Sequence, residues 1–242
     1  MIRVFGNDIK GAYTGGVPVK EIYSYGVKVW PDEPEPTPVP TGYTRIKSIY
    51  NDVTSNAPRL YIPVLGVDKF IIELDIEPTQ RDHEFVFSYG TSGYFDTNYC
   101  FFETYTGSST WYLESGNTTG AGGTSYRIST SDFVRGILKW DCSIRSDKPY
   151  ITWQSLVNKS SYADSRVGFY LSLLSSNVYE YRTRVAFGKI YGVVIKDGNS
   201  NVIKNLVPVL EDSTGLAGLY DTVNNVFHKN IKSVGIVRYE TL

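Results

Sequence analysis

A chain of 242 residues with a formal net charge of −1 has room for one large domain, or one domain with a small appendage. It has no basic stripe to neutralise phosphates, which argues against nucleic-acid binding. With 20 Tyr, 22 Gly and a single Met, its composition favours short strands and polar turns over helical bundles, and no apolar run is long enough to span a bilayer.

The opening "MIRVFGNDIK" lacks the basic and apolar regions of a secretory signal. Residues 1–30 read as a small β element, cut by the turn signals "GND", "TGG" and "YSYG". "VPVKEIY" and "VKVW" alternate apolar and polar residues on either side of a short turn, which predicts a hairpin. Thirty residues cannot bury a sufficient core alone. The element is therefore expected to complete its core against a partner or against copies of itself. Its assembly candidates are Val17, Val19, Ile22, Tyr23, Val27, Val29 and Trp30.

Residues 31–42 form a Pro-rich linker with Pro31, Pro34, Pro36, Pro38 and Pro40. Such a run cannot join a sheet ladder and favours extended polyproline II. It makes a semi-rigid spacer of roughly 30 Å at about 3.1 Å per residue.

The body, residues 43–242, carries strand candidates at short intervals. They include "TRIKSIY", "RLYIPVL", "KFIIELDIE", "TWYLES", "FVRGILKWD", "RVAFGKIYGVVIK" and "VIKNLVPVLE". Turns rich in Gly, Asn and Asp separate them, among them "GNTTGAGG", "KDGNSN" and "EDSTG". The pattern predicts an all-β fold, an antiparallel two-sheet jelly-roll sandwich. Pro208, inside "LVPV", is expected at a strand edge or bulge. Leu219, Tyr220 and Phe227 are core anchors around a turn at Asn224 and Asn225.

Glu73, Asp75 and Glu77 recur at every second residue of "FIIELDIEP". On a strand they share one face, with Ile72, Leu74 and Ile76 on the other. Retaining β-glucan hydrolases use a similar spacing, with nucleophile and acid carboxyls about 5–5.5 Å apart. A plain solvent-facing strand gives the same pattern. No tryptophan stands in the body before Trp111 to form a sugar platform, so the solvated face is the main reading and catalysis the minority one.

Sugar binding without catalysis needs an exposed aromatic beside groups that hold hydroxyls. Trp111, Tyr112 and Asn117 form one candidate set, and Tyr162 with Asp164 another. Packing of loops and sheet edges would explain the same residues. Cys100 and Cys142 read as small buried residues, with a single bridge as the alternative. His83 and His228 stand far apart without neighbouring ligands, so neither a metal nor a cofactor is expected.

The body opens with "TGYTRIKSIYNDVTSNAPRLYIPVLGVDKFIIELDIEPTQ" and closes with "AFGKIYGVVIKDGNSNVIKNLVPVLEDSTGLAGLYDTVNNVFHKN". Over roughly Tyr43 to Asn230 this pairing resembles the concanavalin A-like, laminin-G-like jelly rolls of phage virion proteins and gut-bacterial proteins. The opening departs from that family's usual text, and the closing motif is the more specific part. "VPVKEIYSYGVKVWP" is similar to leaders that precede such jelly rolls in phages of Bacteroides-type hosts, crAss-like phages included.

The resemblance implies a non-enzymatic virion surface protein, a head fibre, capsid decoration or tail appendage. It would be made in the host cytoplasm and docked on capsid or tail proteins through its first 30–40 residues. A trimer is the favoured oligomer, displaying the lectin-like domain toward cell-surface glycans. The alternatives are a bacterial glycan-binding surface module, or a β-glucan hydrolase using Glu73, Asp75 and Glu77.

Overall fold

The structure, a computed structural model, describes residues 38–53, 56–67, 69–78, 134–141, 188–233 and 235–242, together with 152, 173 and 174; elsewhere it describes the backbone pairing of the strands given below. The chain divides into two compact units, Met1–Pro38 and Val39–Leu242.

In the first unit β1 (Tyr13–Thr14) pairs antiparallel with β2 (Val17–Pro18), and β3 (Ile22–Ser24) with β4 (Val27–Trp30). The second pairing is the hairpin implied by the turn "SYG". Of the assembly candidates, Val17, Ile22, Tyr23, Val27, Val29 and Trp30 lie in these strands, while Val19 falls outside the described residues.

The second unit begins with β5 (Tyr43–Arg45), β6 (Ser48–Tyr50), β7 (Leu60–Val64) and β8 (Phe70–Glu77). It continues through β9 (Phe87–Gly90), β10 (Tyr99–Thr104), β11 (Trp111–Gly116), β12 (Ser125–Tyr126) and β13 (Gly136–Asp141). Then come β14 (Tyr150–Trp153), β15 (Leu156–Lys159), β16 (Phe169–Leu173), β17 (Ser175–Tyr179) and β18 (Arg182–Val185). It closes with β19 (Lys189–Asp197), β20 (Val202–Glu211), β21 (Leu216–Asp221), β22 (Val226–His228) and β23 (Arg238–Glu240).

No described residue is helical, and every described pairing is antiparallel. The largest sheet has 11 strands, running β15-β14-β13-β8-β19-β20-β21-β22, with β5 on β20, β6 on β19 and β23 on β6. A smaller sheet, β7-β16-β9, supplies a second layer.

The core explains why the layers stack. On β8, Ile72, Leu74 and Ile76 are buried; on β7, Leu60, Ile62 and Val64 are buried at alternate positions. All six belong to one apolar cluster with Leu138 and Trp140 of β13, Val193 and Ile195 of β19, and Leu173 of β16. Period-2 alternation points one face of each strand at the other sheet. Each such side chain, fully buried, contributes about 1.5–3 kcal/mol through apolar area removed from water. The fold is thus an all-β antiparallel two-layer sandwich of the jelly-roll class.

The closing motif sorts its anchors onto two faces. Leu219 joins the main core, whereas Tyr220 packs with Val207 and Val209 in a second cluster that also holds Val39, Tyr43 and Phe227. The ring of Tyr43 lies 4.8 Å from that of Tyr220 and 5.3 Å from that of Phe227. Asn225 turns the chain with a φ of 56°.

Pro208 departs from its expected edge or bulge position: it is buried inside β20, opposite Leu219 of β21. The reason is a change of partner. β19 accompanies β20 as far as Leu206, and β5 takes over from Val209. The carbonyl of Pro208 accepts the N–H of Ile46 at 3.2 Å, so its ring nitrogen faces this same handover, where no ladder donor is required.

Candidate functional site

The outward face of β8 is the place where the sequence concentrates acids, and the structure gives each acid a partner. Glu73 accepts the Lys196 ammonium at 2.8 Å. Asp75 is held by both arms of Arg135, Nε at 2.9 Å and Nη2 at 2.8 Å. Glu77 accepts the hydroxyl of Tyr191, and Lys189 lies 3.9 Å from it.

The partners come from β19 and from Arg135, the residue just ahead of β13, and a bulge aims one of them. β19 pairs Ile190 with Ile76 and Gly192 with Asp75, which leaves Tyr191 as the extra residue. An extra residue re-aims its side chain, and here it reaches Glu77. The Arg135 guanidinium stacks 4.0 Å above the Tyr191 ring, so Arg135 links Asp75 to Tyr191 and through it to Glu77. Burial, then the bond to Glu77, pushes the Tyr191 phenol above its ordinary range. Lys189 is shared: it meets Glu240 of β23 at 2.8 Å, and Ser48 donates to the same carboxylate at 3.1 Å.

A retaining hydrolase needs one carboxyl poised to give a proton and another free to attack. On β8 every carboxylate is engaged by a cation or a phenol, which is the arrangement of a cross-linked sheet surface. Arg135, Tyr191, Lys189 and Lys196 were not singled out from the sequence. Gly192, inside the strand "KIYGVVI", is the one signal that points to the bulge.

Trp111 and Tyr112 lie in β11, which pairs with β10 and β12. Their side chains, and all of Asn117, Tyr162 and Asp164, fall outside the described residues, as do His83, Cys142 and the side chain of Cys100. Among the described residues, no group of three or more His, Cys, Asp or Glu side chains could hold a metal ion, and no helix is long and apolar enough to cross a membrane.

No family model and no curated protein matches this chain. Several solved structures resemble it. One is a native heptameric SAP-like pentraxin from Limulus polyphemus, with a TM-score of 0.47 and 12% identity over 62% of this chain and 74% of that one. Another, from Bacteroides ovatus, is described as a "putative carbohydrate binding protein"; it gives a TM-score of 0.49 and 15% identity over 82% of this chain, which spans 61% of that protein. A third is scytalido-glutamic peptidase with a peptide-based transition-state analogue, at a TM-score of 0.35 and 12% identity over 81% of this chain and 100% of that one. At these scores the likenesses assign this chain neither a ligand nor an activity.

Proposed function

We propose that this chain is a non-enzymatic display protein of a phage virion, anchored by its N-terminal unit and presenting a lectin-like sandwich. The observation that carries the reading is the division of the chain. A small unit of paired short strands, Met1–Pro38, ends in the Pro-rich run, and a sandwich with its own closed core follows from Val39. Too small to bury a sufficient core alone, the first unit suits docking on capsid or tail proteins, or on its own copies in a trimer. The phage setting comes from the likeness of the leader and the closing motif. The engaged carboxylates of β8 weigh against the hydrolase alternative.

The test is particle assembly. Deleting Met1–Pro38 is expected to yield a folded sandwich that no longer joins particles. Normal incorporation of the deletion variant overturns the anchor assignment, and a cryo-EM and mass-spectrometric inventory of the particle identifies the contact.

A further inference from the structure

A cavity of about 460 Å³ opens on the sandwich unit, where the start of β21 meets the segment running from Lys229 into β23. Its volume falls within the roughly 300–1,000 Å³ usual for small-ligand sites. Ala217 and Val237, each 6% exposed and both members of the main core, form its floor. Leu216, Ile236 and Tyr239 line it with apolar surface, and they are 45%, 65% and 40% exposed.

Its charged lining is of one sign. Lys229, Lys232 and Arg238 line the cavity, and no Asp or Glu among the described residues does. Arg238 is committed elsewhere, since its Nε donates to Asp52 at 2.9 Å. Lys229 and Lys232 have no carboxylate partner among the described residues. That is unlike Lys139, Lys189, Lys196 and Lys204, each of which meets an acid within 3.2 Å. Lys232 is half-buried, and burial, then the nearby guanidinium of Arg59, holds its ammonium below the ordinary lysine range. Lys229 is exposed at the rim, whereas a half-buried ammonium beside a guanidinium is stabilised when an anion joins it.

The segment is also held in place. Asn230 Oδ1 accepts the N–H groups of Arg59 and Lys232 at 2.9 and 3.1 Å, and its Nδ2 donates to the Gly235 carbonyl at 2.9 Å. Gly235 has a φ of 86°, and a Cβ there would strike the Asn56 carbonyl and sit 2.8 Å from the Pro58 nitrogen. A preformed site loses little in ordering when a ligand arrives.

We infer that this cavity binds an acidic sugar, its carboxylate paired with Lys229 and Lys232 and its pyranose ring against Tyr239, Leu216 and Ile236. An inorganic anion would leave the apolar walls unused, and a neutral sugar would leave the two ammonium groups unpaired. The apolar and aromatic lining matches the C–H face of a pyranose, and lysine ammonium groups without an acid partner match a carboxylate. The site deepens the glycan-binding part of the display reading, rests on that part alone, and is independent of particle attachment.

The full chain should be titrated by calorimetry with methyl glucuronide, methyl glucoside, acetate and inorganic phosphate. Methyl glucuronide is expected to bind saturably and to weaken as salt rises, with the other three at least about tenfold weaker. Replacing both lysines, Lys229→Gln with Lys232→Gln, should lower glucuronide affinity about tenfold or more while the melting temperature holds or rises. Tyr239→Ala should weaken glucuronide more than acetate. Equal binding of glucuronide and glucoside, tighter binding of phosphate, unchanged affinity in the lysine variant, or no binding of glucuronide would each overturn the assignment. Particle incorporation of the lysine variant, measured in parallel, should match wild type, so failure of the pocket and failure of the anchor read out separately.

Discussion

Asp221 is fully buried and yet charged. Its Oδ1 accepts the N–H groups of Asn205, Val223 and Asn224 at 3.1–3.3 Å, and its Oδ2 is met by Lys204 Nζ at 3.0 Å and Asn224 Nδ2 at 2.8 Å. Burial alone would raise its pKa, but the bonds from Asn224, Lys204 and the Asn205 N–H outweigh it and hold the carboxyl below the ordinary range. Asp221→Ala strands the Lys204 charge and opens the turn, so it is expected to cost about 3–5 kcal/mol, read from the urea midpoint. A loss well under 1 kcal/mol would mean that the network is not organised as described. His228, close by, is instead disfavoured in its charged form. Burial first, then Lys204, depresses its pKa, against the pull of Asp221 and a bond to the Tyr61 backbone, and its Nε2 is buried without a partner among the described residues. The unfolded chain therefore takes up the proton first, near pH 6.5. Stability from this group is full above that pH and is lost as pH falls toward the lower folded value. The urea midpoint should decline between about pH 7 and pH 5, before the carboxylates titrate, and His228→Gln should flatten that decline. An unchanged slope in the variant would assign the decline to another group. "DTVNN" was legible as a turn, but the burial of Asp221 was not. Aspartate is ordinarily exposed, and nothing in "VIKNL" announces that Lys204 reaches across the strand pair.

At the scale of elements, β8 was the most legible part of the chain, because strict alternation can be satisfied only by a strand with one face in the core. Its acids were legible as a row but not as a bonded row, since their partners arrive from β19 with its Tyr191 bulge and from Arg135 just ahead of β13. Glu73 and Lys196 are each one-quarter exposed, so Glu73→Gln should change stability by at most about 1 kcal/mol. Neither wild type nor variant should hydrolyse laminarin or mixed-linkage glucan; wild-type turnover that the substitution abolishes would restore the catalytic reading. The β21–β22 hairpin is far less tolerant. A Cβ on Gly218 would strike the His228 carbonyl oxygen and lie 2.7 Å from Cε2 of Phe227. Gly218→Ala is therefore expected to destabilise by about 1–3 kcal/mol through overpacking, with a lower melting temperature and an unchanged far-ultraviolet spectrum. Pro208 shows why such details escape sequence reasoning: the rule that proline avoids strand interiors is local, whereas the handover from β19 to β5 is set by the whole sheet.

For the whole molecule, the question is where one cooperative unit stops. Residues 31–42 read as one Pro-rich spacer, yet the sandwich unit takes in the chain from Val39 onward. Val39 packs on the cluster of Val207, Val209 and Tyr220, the N–H of Tyr43 donates to the Pro40 carbonyl at 3.3 Å, and that of Asp212 to the Gly42 carbonyl at 3.0 Å. One valine between prolines has no periodicity to betray it, so this short lead-in was invisible in the sequence. Two truncations separate the readings. A chain starting at Val39 keeps every one of these contacts and should melt within about 2 °C of the sandwich transition of the full protein. A chain starting at Tyr43 loses Val39 and both carbonyl acceptors, and should lose about 1–2 kcal/mol, a shift of roughly 2–8 °C for a domain of this size. If both truncations melt alike, residues 39–42 belong to the tether after all. If the longer one is already destabilised, the first unit is part of the fold it precedes, and its spacer is not a spacer.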